Sequence, residues 1–170
     1  MKTRRLIASV WPLFIFLILP GIAFAEGALT VKGIGPRAGM GINPDQFVFG
    51  AQAVMGRMLK IANLASSIDV GFGNNVTDVT FNADLQLTLL RPPKSTTSFY
   101  GFAGPTIAYF DPDKGDSDTE IGLSVGGGLK IPMGTSNLYN LEARIGIGDV
   151  PDFKLLLGIY FGGAPKKEKS

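Results

Sequence analysis

The chain is 170 residues long, with 45% hydrophobic and 18% charged residues, which is enough for one folded domain. It contains no cysteine and no histidine. This composition excludes disulfides, thiol catalysis, an acylated-cysteine anchor and the histidine base of most serine hydrolases. We therefore expect neither an enzyme nor a bound cofactor.

The first 25 residues are typical of a cleaved signal peptide. Residues 1–5 carry three basic side chains, residues 6–25 form an apolar run, and Ala23 and Ala25 occupy the small-x-small positions of a cleavage site. The run is also long enough for a retained membrane anchor, which is the alternative. Removal of the signal would leave 13 basic and 14 acidic side chains, a balance that predicts no nucleic-acid partner.

The remaining chain alternates between apolar and polar residues with a period of two. Between residues 76 and 88, valine, phenylalanine, alanine and leucine alternate with aspartate, threonine, asparagine and glutamine. Residues 139–148 repeat this design, with large apolar side chains set against glycine, asparagine and two charged residues. Such alternation predicts strands with one apolar face and one polar face.

Turn residues between the alternating runs predict eight strands, an even number as in single-chain bacterial barrels. Residues 55–64 could instead form a short helix, and the fifth strand is aromatic on both faces, so its orientation is open. We assign residues 26–163 to one barrel domain and residues 164–170 to a disordered polar tail. The predicted strands lie at residues 31–42, 47–58, within 59–72, 76–88, 97–110, 120–131, 139–148 and 153–161.

Side-chain size indicates which face points inward. An eight-stranded barrel is only just wide enough to be filled by side chains, so its interior residues must be small or tightly paired. The row Gly122, Ser124, Gly126 and Gly128 meets that condition. We therefore expect the apolar face to contact lipid. The alternative is a periplasmic lipocalin-like barrel that turns its apolar face inward and binds an apolar ligand.

Charged residues on the small, polar face predict a network inside the barrel. Buried charges persist only when they are paired and hydrogen-bonded. We expect a network centred on Glu142, Arg144 and Asp84 that closes the lumen, with a narrow pore as the alternative. Its predicted members are Arg37, Asp69, Asp84, Lys130, Glu142, Arg144 and Lys154.

One connection is strongly acidic. Asp111, Asp113, Asp116, Asp118 and Glu120 place five carboxylates within ten residues, and carboxylate oxygens suit divalent cations. Their spacing does not match an EF-hand loop. We interpret the segment as a solvated turn, with weak divalent-cation binding as the alternative.

Residues 31–161 resemble the OmpA/OmpX-like family of eight-stranded outer-membrane β-barrels. Residues 158–161, Gly-Ile-Tyr-Phe, are similar to the glycine and aromatic core of the terminal-strand signal of that family. The resemblance implies an all-β, antiparallel, up-and-down transmembrane barrel in a Gram-negative outer membrane, with both termini periplasmic. It also implies outer-membrane lipid and the barrel assembly machinery as partners, and an envelope or surface-contact role without catalysis. Tyr100, Tyr109 and Tyr139 are expected to form the aromatic girdle.

Overall fold

The computed structural model describes residues 30–57, 59, 61–73, 75–92, 95 and 97–162. The predicted signal peptide, with Ala23 and Ala25, and the predicted tail lie outside these residues. In the described part of the chain, no helix has the length and apolar character needed to cross a membrane.

The chain folds into one closed antiparallel barrel, which confirms the predicted fold class. Each strand pairs with its sequence neighbours, and β8 closes the barrel against β1, with Arg37 opposite Gly158 and Ile42 opposite Phe153. The strands are β1 (Val31–Ile42), β2 (Gln46–Arg57), β3 (Ala62–Gly73), β4 (Val76–Leu90), β5 (Ser98–Pro112), β6 (Asp118–Met133), β7 (Asn137–Ile147) and β8 (Phe153–Tyr160).

The barrel has two ends, which we call the terminal end and the distal end. The terminal end carries the start of β1, the end of β8 and the β2–β3, β4–β5 and β6–β7 connections. The distal end carries the β1–β2, β3–β4, β5–β6 and β7–β8 connections. All of these connections are short, the longest being residues 91–97.

The alternative of a short helix at residues 55–64 is wrong. The second strand continues through Met55, which pairs with Val31, to Arg57, which pairs with Asn63 of β3. Ladder pairing therefore holds residues 55–57 at the end of β2 and residues 62–64 at the start of β3, even though the residue pattern is ambiguous.

The pairing also fixes the orientation of β5, which the sequence left open. Phe102 lies opposite Gln86 of β4 and Gly126 of β6, and it points into the barrel. Tyr100 shares that face and is 3% exposed. The expectation that Tyr100 belongs to an aromatic girdle is therefore wrong, because its ring lies in the lumen.

The outer surface of the barrel is apolar, as predicted. Large hydrophobic side chains are exposed on every strand, including Phe47 at 64%, Ile121 at 73% and Leu157 at 60%, and Tyr139 is also on this surface. A soluble protein rarely exposes so continuous an apolar surface. The alternative barrel, with its apolar face turned inward, is not the one that forms.

Two glycines of β6 lie directly against aromatic rings of β5 in the narrow interior of the barrel. A Cβ atom at Gly126 would come within 2.6 Å of Phe102, and one at Gly128 within 2.7 Å of the Tyr100 hydroxyl oxygen. Neither distance is tolerable for a real side chain, so the glycine row of β6 makes room for the aromatic residues of β5. The small-residue face predicted for β6 thus serves packing inside the lumen.

Candidate functional site

The barrel interior collects eight charged side chains, which we call the lumenal charge cluster. Seven of them are the predicted residues, and the eighth is Asp78, which the sequence analysis placed on the polar face but not in the network. Asp78 lies six residues, or three two-residue repeats, before Asp84 on a strand with strict alternation, and this spacing was the signal that could have identified it. With Asp78 the cluster has four basic and four acidic members: Arg37, Lys130, Arg144, Lys154, Asp69, Asp78, Asp84 and Glu142.

The shortest ion pair of the cluster joins Arg37 and Asp69. The Nε and Nη2 atoms of Arg37 donate to the two carboxylate oxygens of Asp69 at 2.6 and 2.5 Å, and Nη2 also donates to Ser67. Arg37 is 4% exposed and Asp69 is fully buried. This two-point geometry is the strong, directional form of the arginine–carboxylate interaction. It ties β1 to β3, two strands that are not neighbours in the sheet.

Glu142 links this pair to a second arginine. Its Oε1 accepts from Arg37 Nη1 at 3.3 Å and from Arg144 Nη2 at 3.0 Å. Arg144 also contacts Asp84 at 2.6 Å. The predicted centre of the network is therefore assembled in the structure, and Arg37 and Asp69 extend it across the lumen.

Aromatic residues surround this centre, a feature that the sequence analysis missed. The Tyr100 hydroxyl donates to Glu142 Oε2 at 2.7 Å, and Arg144 lies 4.4 Å above the centroid of the Phe102 ring. Cation–π attraction and a hydrogen bond to a buried carboxylate both favour the charged states of these groups. The orientation of β5 could not be read from its sequence, which is why its contribution was not predicted.

Lys154 and Asp78 lie toward the distal end of the cluster. Lys154 Nζ donates to Thr80 Oγ1 at 2.8 Å and lies 3.7 Å from Asp78 and 4.0 Å from Asp69. The carboxylate of Asp78 and the amide of the neighbouring Gln46 are buried and lack a hydrogen-bond partner among the described residues. The ion pairs of Lys154 are therefore longer than the ion pair between Arg37 and Asp69.

Lys130 is inside the barrel but outside the ion-paired group. Its ammonium lies 4.7 Å from the Tyr100 ring centroid and 5.2 Å from that of Tyr160, and it donates to Gln86. Within the described ranges, no carboxylate oxygen comes within 4.0 Å of it. Lys130 is therefore a lumenal residue that is hydrogen-bonded but not ion-paired, because β6 places it among the tyrosines near the terminal end.

A small cavity lies beside the cluster. It has a volume of about 10 Å³ and lies near the distal end. It is lined by Arg144, Lys154 and Thr106 of the strands and by Val150 and Pro151 of the β7–β8 connection. That volume is about enough for one water molecule. At the terminal end, the buried side chains of Val54, Leu138 and Tyr160 pack together.

The five acidic residues predicted for one loop are divided among three elements. Asp111 lies in β5, Asp113 and Asp116 in the β5–β6 connection, and Asp118 and Glu120 in β6. Strand pairing continues farther than the sequence alternation suggested, with Phe110 opposite Asp118. Over the residues that the structure describes, no group of three or more acidic side chains is arranged to hold a metal ion.

Three solved structures that are similar to this chain are eight-stranded outer-membrane barrels. The N-terminal β-barrel domain of OprF from Pseudomonas aeruginosa has a TM-score of 0.60 at 15% identity, covering 76% of this chain and 96% of that domain. Neisserial surface protein A has a TM-score of 0.59 at 13% identity, covering 76% and 92%. Ail, the attachment invasion locus protein of Yersinia pestis, has a TM-score of 0.52 at 14% identity, covering 79% and 97%.

Neither a protein-family model nor a curated protein matches the sequence. At identities of 13 to 15% the structural likeness establishes the fold. The chain therefore has the fold of the eight-stranded outer-membrane β-barrels, as the sequence resemblance predicted.

Proposed function

We propose that this protein is a non-enzymatic integral protein of the bacterial outer membrane, with a structural or surface-contact role in the cell envelope and a closed lumen. The observation that carries the proposal is the contrast between the outer and inner faces of the barrel wall. The outside is a belt of exposed large hydrophobic side chains, and the inside is a charge-balanced, buried polar cluster. Only a lipid environment makes both faces favourable at once.

The outer face supports residence in a bilayer. Seven of the eight strands have 11 to 16 residues, which is long enough to cross the hydrocarbon core when tilted. The eighth strand, β8, has 8 residues, and its pairing continues to Phe161, which bridges to Ile34. The outward residues are predominantly apolar. Barrel closure pairs every strand on both edges, so no unpaired backbone edge faces lipid. The terminal strand β8 ends in an aromatic residue, Tyr160, followed by Phe161. We propose these residues as part of the signal for the barrel assembly machinery.

The interior supports a closed lumen. Arg37, Asp69, Glu142, Arg144 and Asp84 form a continuous chain of ion pairs from β1 to β4 and β7. A permeating ion would have to separate buried pairs, which is costly because each unpaired charge keeps its desolvation penalty. The distal cavity of about 10 Å³ offers room for a water molecule and not for a solute.

The absence of catalysis is proposed from the chemistry of the interior. The carboxylates of Asp69, Asp84 and Glu142 are engaged by arginines, and the sequence supplies neither histidine nor cysteine to act as base or nucleophile. These charges hold the barrel wall together. They are poorly placed to meet a substrate, since each is 4% exposed or less on its side chain.

Fractionation of cells expressing the full chain tests this proposal. We expect the protein in the outer-membrane fraction, with a folded band that migrates differently from the boiled one on a denaturing gel. Recovery in the soluble periplasmic fraction, with no change on boiling, would contradict it.

A further inference from the structure

Exposed charges are segregated between the two ends of the barrel. The distal end is acidic, with Lys114 as the one basic residue among the acids there. The terminal end is basic, with exposed Lys32 at the start of β1 and exposed Arg91 directly after β4. The acidic residues of the distal end are Asp45, Asp111, Asp113, Asp116, Asp118, Glu120, Asp149 and Asp152.

The sequence reinforces this polarity at the terminal end. Between residues 30 and 162 no acidic residue falls in a terminal-end connection. The positive charge is therefore not neutralised by neighbouring acids, in contrast to the charges in the lumen.

Exposed apolar side chains accompany the basic residues. In the β2–β3 connection, Leu59 is 51% exposed and Ile61 is 77% exposed. At the end of β4, Leu89 and Leu90 are 70% and 57% exposed, next to Arg91. Apolar side chains beside basic ones are typical of surfaces that lie at a membrane interface, where the former enter the acyl region and the latter meet phosphates.

We propose that this basic and apolar rim at the terminal end binds the headgroups of anionic phospholipids. The inference rests on the proposed membrane location, and charge complementarity selects the lipid. Lys32 and Arg91 are both exposed at this end of the barrel, at the level where lipid headgroups would meet it. Lys32 donates to Asn63 Oδ1 at 3.2 Å, which leaves its remaining N–H groups available for a phosphate. With periplasmic termini, this leaflet is the phospholipid leaflet.

Electron paramagnetic resonance of spin-labelled lipids tests the proposal. The folded full chain is reconstituted in phosphatidylcholine bilayers with trace spin-labelled phosphatidylglycerol or phosphatidylcholine, and the motionally restricted fraction of each label is measured. A basic side chain near an anionic surface is worth about 1 kcal/mol, so we expect a roughly two- to fivefold preference for phosphatidylglycerol at low salt. The preference should vanish at high salt.

Two matched variants locate the effect. The double variant Lys32→Gln with Arg91→Gln should reduce the preference toward one. Asp113→Asn with Asp116→Asn neutralises two charges at the distal end, so it should leave the preference unchanged or raise it. Boiling-dependent gel mobility verifies that each variant is folded, independently of its lipid preference.

Three results would overturn the proposal while leaving the membrane location intact. The folded wild type could show no preference for phosphatidylglycerol. The distal variant could lose as much preference as the rim variant, which would indicate a non-local effect. Alternatively, the detergent-folded protein could cosediment with isolated peptidoglycan in a Lys32- and Arg91-dependent manner without any lipid preference, which would assign the rim to a cell-wall polymer.

Discussion

Asp69→Asn is the substitution that most sharply perturbs the lumenal charge cluster. It preserves side-chain volume while removing the charge that Arg37 contacts through two hydrogen bonds of 2.6 and 2.5 Å in a fully buried setting. Removing one partner of a buried ion pair typically costs 3–5 kcal/mol because the other charge stays buried without compensation. Arg37 keeps Glu142 Oε1 at 3.3 Å. We therefore expect the lower end of that range, about 3 kcal/mol of unfolding free energy.

The assay is urea unfolding of the barrel in lipid vesicles, followed by circular dichroism and by the folded band on gels. Asp113→Asn, which removes an exposed charge of the same type, is the control and should change stability by less than about 0.5 kcal/mol. The combined variant Arg37→Met with Asp69→Leu should recover most of the loss, since a well-packed apolar pair can replace a buried ion pair. A loss below about 1 kcal/mol for Asp69→Asn would refute the reasoning that the cluster contributes through desolvated pairing.

Three further predictions concern packing and closure. Gly126→Ala should destabilise the barrel by about 1–3 kcal/mol, because its Cβ would lie 2.1 Å from the backbone oxygen of Ala143 and 2.6 Å from the Phe102 ring. Gly127→Ala, on the outer face, should cost less, and equal losses in urea unfolding would contradict the packing argument. Tyr100→Phe should cost about 1–3 kcal/mol by leaving Glu142 Oε2 without that donor, and an unchanged unfolding midpoint would contradict a role for the hydroxyl. In planar bilayers, the wild type and Glu142→Ala should both lack steady conductance, because Val54, Leu138 and Tyr160 still pack together at the terminal end. Stable channels formed by the wild type would instead support the narrow pore.

The sequence was most informative where side-chain size and polarity alternate without interruption. For β4 and β7, the period of two assigned each residue to the lipid or lumen face, and the structure places Leu85 and Ile145 outside and Asp84 and Glu142 inside. Register follows from such strands, since a shift by one residue would exchange the two faces. This is why the ion-paired centre of the lumen could be predicted without a structure.

The sequence was less informative where both faces carry similar residues. In β5 the aromatic residues alternate in neither size nor polarity, so the inward position of Tyr100 became evident only from its pairing with β4 and β6. The ion-paired partners are likewise set by barrel geometry, which brings Arg37 next to Asp69 across an intervening strand. The same barrel geometry places Lys130, which is on the same polar face, among tyrosine rings. Alternation specifies a face, but it does not specify the depth of a residue along the barrel axis.

The lipid contact of the apolar face is tested most directly by nitroxide labels in the reconstituted barrel. Labels at the outward positions of Leu85 and Ile145 and at the inward position of Thr106 sample the two faces of the wall. The account predicts that the first two labels collide readily with molecular oxygen, which partitions into lipid, and rarely with a water-soluble nickel chelate, while the Thr106 label is shielded from both. Ready collisions of the chelate with the labels at Leu85 and Ile145 would show that the apolar face meets water, which would contradict the account.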